Sequence, residues 1–187
     1  MAGKRVGILA LQGAFVEHQA SLKKCGAKSL LVKSLEDLKQ AEALIIPGGE
    51  STTIGKLLRE YHLEQAVLQK AAEGMPVWGT CAGMILLAKD IADSDQPRLG
   101  LMDMRVKRNA YGRQVDSFET DLQVEGLGTT RGVFIRAPYV EKTWGDARAL
   151  CWYREKMVMV QEGRFLATAF HPELTDQVDI HAYFLTF

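Results

Sequence analysis

The chain has 187 residues, and its 23 lysines and arginines balance its 23 aspartates and glutamates, leaving a formal net charge of zero. That length supports one domain with a sizeable core, and 1–187 is read as that single domain. Scattered charge with no basic patch excludes the usual footprint of a nucleic-acid or membrane-surface protein.

The first half alternates short apolar runs with amphipathic ones. "RVGILAL" is too short to span a bilayer and shows no cleavage site, so it reads as a buried strand rather than a signal peptide. "AFVEHQASLKKCG" reads as a helix with Phe15, Leu22 and Cys25 toward the core and Gly26 as its stop. "KSLLVK" is a second strand, and "SLEDLKQ" a short helix with Ser34 as N-cap. "EALIIPGG" is a third strand, followed by helices over "STTIGKLLREY" and "HLEQAVLQKAAEG". "MPVWGT" is a fourth strand, with a helix over "AGMILLAKDI" behind it. Beyond this the chain turns β-like, through "RVKRN", "SFETDLQV", "GVFIRAP", "ALCWYR" and "KMVMVQEGRFLATAF", with a hairpin at "QEGR". "VDIHAYFLTF" reads as a closing helix. This order predicts an α/β fold: a mostly parallel central sheet flanked by helices, with an added antiparallel part in the second half. No segment is long and apolar enough for a membrane helix.

The cysteines are Cys25, Cys81 and Cys151, and no C-x-x-C occurs. An odd count at wide spacing argues for a reducing, cytoplasmic compartment rather than a disulfide framework. The histidines, His18, His62, His171 and His181, have no clustered partners, so no structural metal is expected. His18, His62 and His181 lie on helical segments and read as surface or core residues. Cys25 and Cys151 read as ordinary buried residues.

Three stretches carry chemistry. Residues 79–83 read Gly-Thr-Cys-Ala-Gly, the cysteine form of the strand–turn–helix nucleophile elbow. Flanking glycines clear space around Cys81, and a helix N-terminus aims free N–H groups at it. Near the C-terminus, "FLATAFHPELT" supplies His171 and Glu173. Pro172 is expected to hold the pair extended, so that the carboxylate lies beside the imidazole and orients it as a base. In "LIIPGGESTT", Gly48 and Gly49 follow the third strand at the same sheet edge as Cys81. With the Ala82 N–H, Gly49 could form an oxyanion hole. The same stretch also reads as a turn whose Ser51 or Thr52 caps the next helix.

Together, PGG at 47–49, GTCAG at 79–83 and HPE at 171–173 resemble the class I, triad-type glutamine amidotransferases. "LALQGAFVEH", "PGGESTT", "RNAYGRQVDSFE", "GVFIRAP" and "FHPELT" narrow the resemblance to the glutaminase subunits of pyridoxal 5′-phosphate synthase, over nearly the whole chain. In the third motif, Tyr111 stands where Phe is more usual. The resemblance implies that Cys81 attacks the side-chain amide of glutamine, that ammonia leaves, and that water hydrolyses the γ-glutamyl thioester. His171 would be base and then acid, with Glu173 as orienter. Gly48, Gly49, Glu50, Ser51, Arg108, Ile135 and Arg136 would bind glutamine. No cofactor is implied. The implied partner is a ring-forming synthase subunit that receives the ammonia, with Gln12 and Ala14 at the contact.

Alternatives remain at this level. Arg108 and Arg136 read equally well as surface salt-bridge residues. The same triad could serve another acceptor, although "RNAYGRQVDSFE" argues against that. The elbow cysteine could be a redox sensor, although a sensor needs no HPE pair.

Overall fold

The computed structural model describes residues 3–109 and 117–187. Tyr111 and the remainder of the R-N-x-aromatic-G-R-Q run through Asp116 lie outside them.

The parallel layer forms as the alternation predicts. Strand β1 (Arg5–Leu9) leads to helix α1 (Phe15–Lys24), then β2 (Lys28–Val32), α2 (Leu35–Gln40) and β3 (Ala43–Ile46). Helices α3 (Ser51–Glu60) and α4 (Leu63–Ala72) follow, then β4 (Val77–Thr80) and α5 (Ala82–Leu87). Strands β3 and β4 are buried at every position, as expected of strands covered on both faces. Ser34 caps α2, and Asp37 completes a capping box.

The helix expected over 82–91 ends at Leu87, and 88–91 form β5 (Ala88–Ile91), paired in parallel with β6 (Met102–Lys107). The run is buried throughout positions 82–88, so apolar periodicity could not separate helix from strand there. What ends the helix is tertiary: the Leu99 and Gly100 amides both donate to the Leu86 carbonyl.

The second half is antiparallel. It comprises β7 (Ser117–Val124), β8 (Gly128–Ile135), β9 (Tyr139–Thr143), β10 (Arg148–Tyr153), β11 (Lys156–Glu162) and β12 (Phe165–Thr168), then a 3-10 turn at Pro172–Leu174 and helix α6 (Asp179–Phe184). The hairpin at "QEGR" is present, pairing Glu162 with Phe165. Strand β9 was not anticipated; it bridges β6 and β11.

Among the described residues the strands form one sheet with main order β2-β1-β3-β4-β12-β11-β10-β7-β8. The stretch from β2 to β12 is parallel. Strand β12 is the joint, parallel to β4 and antiparallel to β11. Chain order reverses at β1/β3, the place where α/β sheets open a crevice at their carboxyl edge. Register then aligns the functional loops. Ile46 pairs with Gly79, and Thr80 pairs with Thr168, so the segments after β3, β4 and β12 leave the sheet side by side.

Candidate active site

Cys81 follows β4 directly, with φ 50° and ψ −101°, a conformation that only a tightly determined corner imposes on a non-glycine residue. Its amide donates to the Thr168 carbonyl at 2.8 Å, which ties the elbow to β12. The flanking glycines answer to crowding. A Cβ on Gly79 would overlap the Gly83 backbone, and one on Gly83 would overlap the Ile46 carbonyl. The turn can therefore press against β3 only without side chains at those two positions.

His171 lies just beyond β12 and is anchored by its amide to the Val133 carbonyl at 2.8 Å. Its Nδ1 is 2.7 Å from Glu173 Oε1. The local geometry differs from expectation. Pro172 does not hold the pair extended; it starts the 3-10 turn, and the Leu174 amide closes back on the His171 carbonyl. Proline's fixed φ suits a first helical position, so the turn, rather than strand alternation, brings carboxylate and ring together.

Both side chains are almost wholly buried. Burial works against a charged imidazole at His171, but hydrogen bonding to Cys81 and to Glu173, with the charges of both, lifts its pKa to about 10. Burial would raise Glu173, yet the His18 and His171 imidazoles more than offset it, and the carboxyl lies below its ordinary value. The arrangement is a sulfur and an imidazole on the wall of one cavity, with a buried carboxylate fixing the imidazole from behind.

These groups open on a cavity of about 470 Å³, within the range of small-molecule sites. Every sequence-predicted site residue except Glu173 lines it: Gln12, Ala14, Gly48, Gly49, Glu50, Ser51, Cys81, Ala82, Arg108, Ile135, Arg136 and His171. Glu173 lies behind His171. The Cys81 sulfur is 3.9 Å from the Ile135 carbonyl. Arg136 has φ 42°, a turn that redirects the chain at the cavity wall. The Gly48 carbonyl accepts from the Ala14 amide at 3.0 Å, which orients the Gly48–Gly49 peptide. Among the described residues, neither the Gly49 nor the Ala82 amide donates a hydrogen bond.

Three placements differ in detail from the sequence reading. The cap of α3 is Glu50, not Ser51 or Thr52. Its carboxylate accepts from the amides of Thr52 and Thr53 and from both hydroxyls. Burial pushes the Glu50 carboxyl up, but these bonds bring it down to about 2. Gln12, expected at the partner contact, also acts inside the chain: its Oε1 accepts the Glu50 amide at 2.8 Å and pins the PGG loop to the segment after β1. Gln96, which sequence reasoning passed over, joins two site residues. Its Nε2 donates to Ser51 Oγ at 3.0 Å, and its Oε1 accepts from Arg108 at 2.8 Å. Arg108 also lies 3.9 Å from Glu50. Nothing in "SDQPR" marks Gln96, because its role arises only when that loop packs on α3. Arg136 forms no ion pair among the described residues.

Fold and site together describe an α/β protein with a cysteine elbow at the carboxyl edge of a parallel sheet and a His–Glu pair beside it. The chain belongs to the SNO glutamine amidotransferase family, whose model matches residues 8–187. It is 54% identical to the pyridoxal 5′-phosphate synthase subunit PdxT of Desulforamulus reducens, covering 96% of this chain and 97% of the relative. It is 58% identical to the protein of the same name from Pelotomaculum thermopropionicum, covering 97% and 93%. A crystal structure of a glutamine amidotransferase superposes with TM-score 0.94 at 51% identity, over 97% of both chains. PurLQS from Thermotoga maritima has TM-score 0.70 at 15% identity, over 100% of this chain and 99% of that one, and shares the fold.

Proposed function

We propose that this chain hydrolyses L-glutamine to L-glutamate and ammonia and delivers the ammonia to a synthase subunit that makes pyridoxal 5′-phosphate. The observation that carries the chemistry is the Cys81–His171–Glu173 constellation on the wall of the cavity, in a chain related over its whole length to pyridoxal 5′-phosphate synthase subunits. Residues 1–187 act as one glutaminase domain. Of localisation, the cysteine pattern supports the cytoplasm; no helix among the described residues is long and apolar enough to cross a membrane.

In this reading His171 already holds its proton at neutral pH, and the Cys81 sulfur, paired with that imidazolium as its thiolate, attacks the amide carbon. The amides of Gly49 and Ala82 take the developing oxyanion. Collapse expels the amine, which leaves as ammonia with the proton from His171. Water, activated by the same imidazole, then attacks the thioester, and glutamate departs. Glu173 stays ionised and holds the ring in its working tautomer. Arg108 receives the substrate α-carboxylate as a charge-assisted pair, and the carbonyls near Ile135 and Arg136 receive polar hydrogens. Glu50 serves through its backbone, since its carboxylate is engaged by α3. The partner docks over the cavity mouth near Gln12 and Ala14, a placement supported by both residues lining the cavity and being half-buried.

The test is glutamine hydrolysis by wild type and Cys81→Ala, each with and without the synthase subunit. Low activity alone, stimulation by the synthase and a silent variant support the reading. Full activity of the variant removes the elbow from the mechanism, and full activity of the isolated wild type removes the activating partner.

A further inference from the structure

Behind the triad lies a buried polar cluster that the mechanism above does not use. Glu173 presents Oε1 to His171, while Oε2 is buried and has no hydrogen-bond partner. Oε2 faces His18 Nε2 at 3.6 Å. His18, on α1, is fully buried; its Nε2 lies 3.2 Å from Thr80 Oγ1 and its Nδ1 lies 2.9 Å from His181 Nε2 of α6. The edges and faces of both rings pack on Trp78, with centroids at 5.3 Å and 4.8 Å.

The tautomers follow from which atoms have partners. One proton lies between His18 Nδ1 and His181 Nε2. If His18 supplied it, His18 Nε2 would turn a lone pair toward an anionic oxygen, and His181 Nδ1 would be a buried N–H with nothing to accept it. If His181 supplies it, His18 becomes the Nε2–H tautomer, and the orphan on His181 is an acceptor, the cheaper group to leave unpaired. The second arrangement aligns two N–H dipoles, His181 to His18 and His18 toward Glu173. At 3.6 Å the last is a charge–dipole contact shared with Thr80, not a full hydrogen bond.

We propose that His18 is a positioning residue for the triad: a neutral imidazole, oriented by His181, whose Nε2–H steadies the second oxygen of Glu173 and keeps that carboxylate ionised and turned to His171. Its neutrality agrees with its setting. Burial lowers the pKa of His18, and burial with the neighbouring His18 takes His181 down to about 3. The cluster supplies dipoles without a second positive charge near His171. The groups acting on Glu173 are His171 on its own turn and His18 from α1; His181 from α6 senses it at longer range, and Glu17 acts on His18.

This inference rests on the glutaminase reading, and its test separates the two. His18→Leu removes the donor, while His18→Gln returns an amide N–H near the place of Nε2. In the complex with the synthase subunit, His18→Leu is expected to lower kcat roughly tenfold and move the acid limb of the kcat profile up by about one pH unit. KM stays unchanged, because His18 does not line the cavity. His18→Gln restores the limb. A wild-type limb in His18→Leu, however far its melting temperature falls, makes His18 an ordinary core residue, as does a His18→Gln variant no better than His18→Leu. If His18→Leu does not fold, His181→Phe removes only the orienting ring, and an unmoved limb in that variant overturns the proposal. Carboxyl 13C NMR of Glu173 in a Cys81→Ala background reads the same shift without catalysis. Failure of wild-type hydrolysis therefore sinks the functional reading, and an unmoved Glu173 resonance sinks this one.

Discussion

The parallel and antiparallel parts of the sheet serve one cavity in different ways. The parallel strands β1, β3, β4 and β12 deliver Gln12, the PGG loop, Cys81 and His171. These strands are nearly all buried, and their register leaves each loop one place to emerge. The antiparallel part delivers Arg108 from the end of β6, and Ile135 and Arg136 from the end of β8. Strands β6, β7 and β8 alternate buried with more exposed positions, and their contributions to the cavity remain half-exposed. On the proposed reading, the groups that would move protons are buried, and the groups that would meet a charged ligand sit where water still reaches. If that division holds, damage to the first region removes kcat and damage to the second raises KM.

The largest effect is expected at Glu173. Glu173→Gln preserves the shape but removes the charge that fixes the His171 imidazole, and kcat should fall by about 10³–10⁴-fold with little change in KM. Steady-state kinetics in the complex would show it; a mere severalfold loss would mean that the Pro172 turn alone orients the ring. Next is Arg108→Ala on the antiparallel side. Losing a charge-assisted contact of about 1.5–3 kcal/mol should raise KM by about 10–100-fold while kcat changes little. Arg108→Lys should not restore binding, because the guanidinium also spans to Gln96. A kcat loss at Arg108 matching that at Glu173 would erase the division. Gln96→Leu should do less, raising KM by about 3–10-fold, since it removes one orienting bond worth about 1 kcal/mol. An unchanged KM would leave Gln96 as packing between its loop and α3.

What could be read in the sequence divides along the same line. The elbow at 79–83 and the HPE run are local patterns whose residue types have a chemical reason to recur together, and the parallel strands announce themselves as unbroken apolar runs. Beyond them local pattern loses force. Residues 82–88 of "AGMILLAKDI" are apolar throughout, so only long-range partners, the Leu99 and Gly100 amides on Leu86 and the pairing of 88–91 with β6, decide where its helix ends. Pro172 was compatible with two backbones, and the contact of Val133 with His171 belongs to a distant strand. Gln96 and β9 acquire their roles through long-range packing that leaves no periodic mark. His18 is the instructive intermediate case. It falls on the Phe15–Leu22–Cys25 face of α1, three residues after Phe15 and four before Leu22, so its burial was legible. Its neighbour Glu173 was not.

The smallest effect tests the reassigned N-cap, and its sign follows from the carboxyl's shift. Glu50 is held down to about 2 in the folded chain against an ordinary 4.5, so the folded state prefers it ionised. Its contribution is complete above pH 4.5 and drains away as pH falls from there toward 2. The side chain is about half exposed, so solvent screens much of the benefit. Glu50→Ala should then cost about 0.5–1 kcal/mol near neutral pH, the low end for a lost cap. The gap between variant and wild type in urea unfolding should shrink steadily below pH 4.5. Glu50→Gln keeps an acceptor for the Thr52 and Thr53 amides but not the charge, and should fall between the two. A gap that is independent of pH would mean that α3 needs the shape of the cap and not its charge. The parallel region would then owe the position of its PGG loop to Gln12 and the Ala14 amide, both of which reach it from the end of β1.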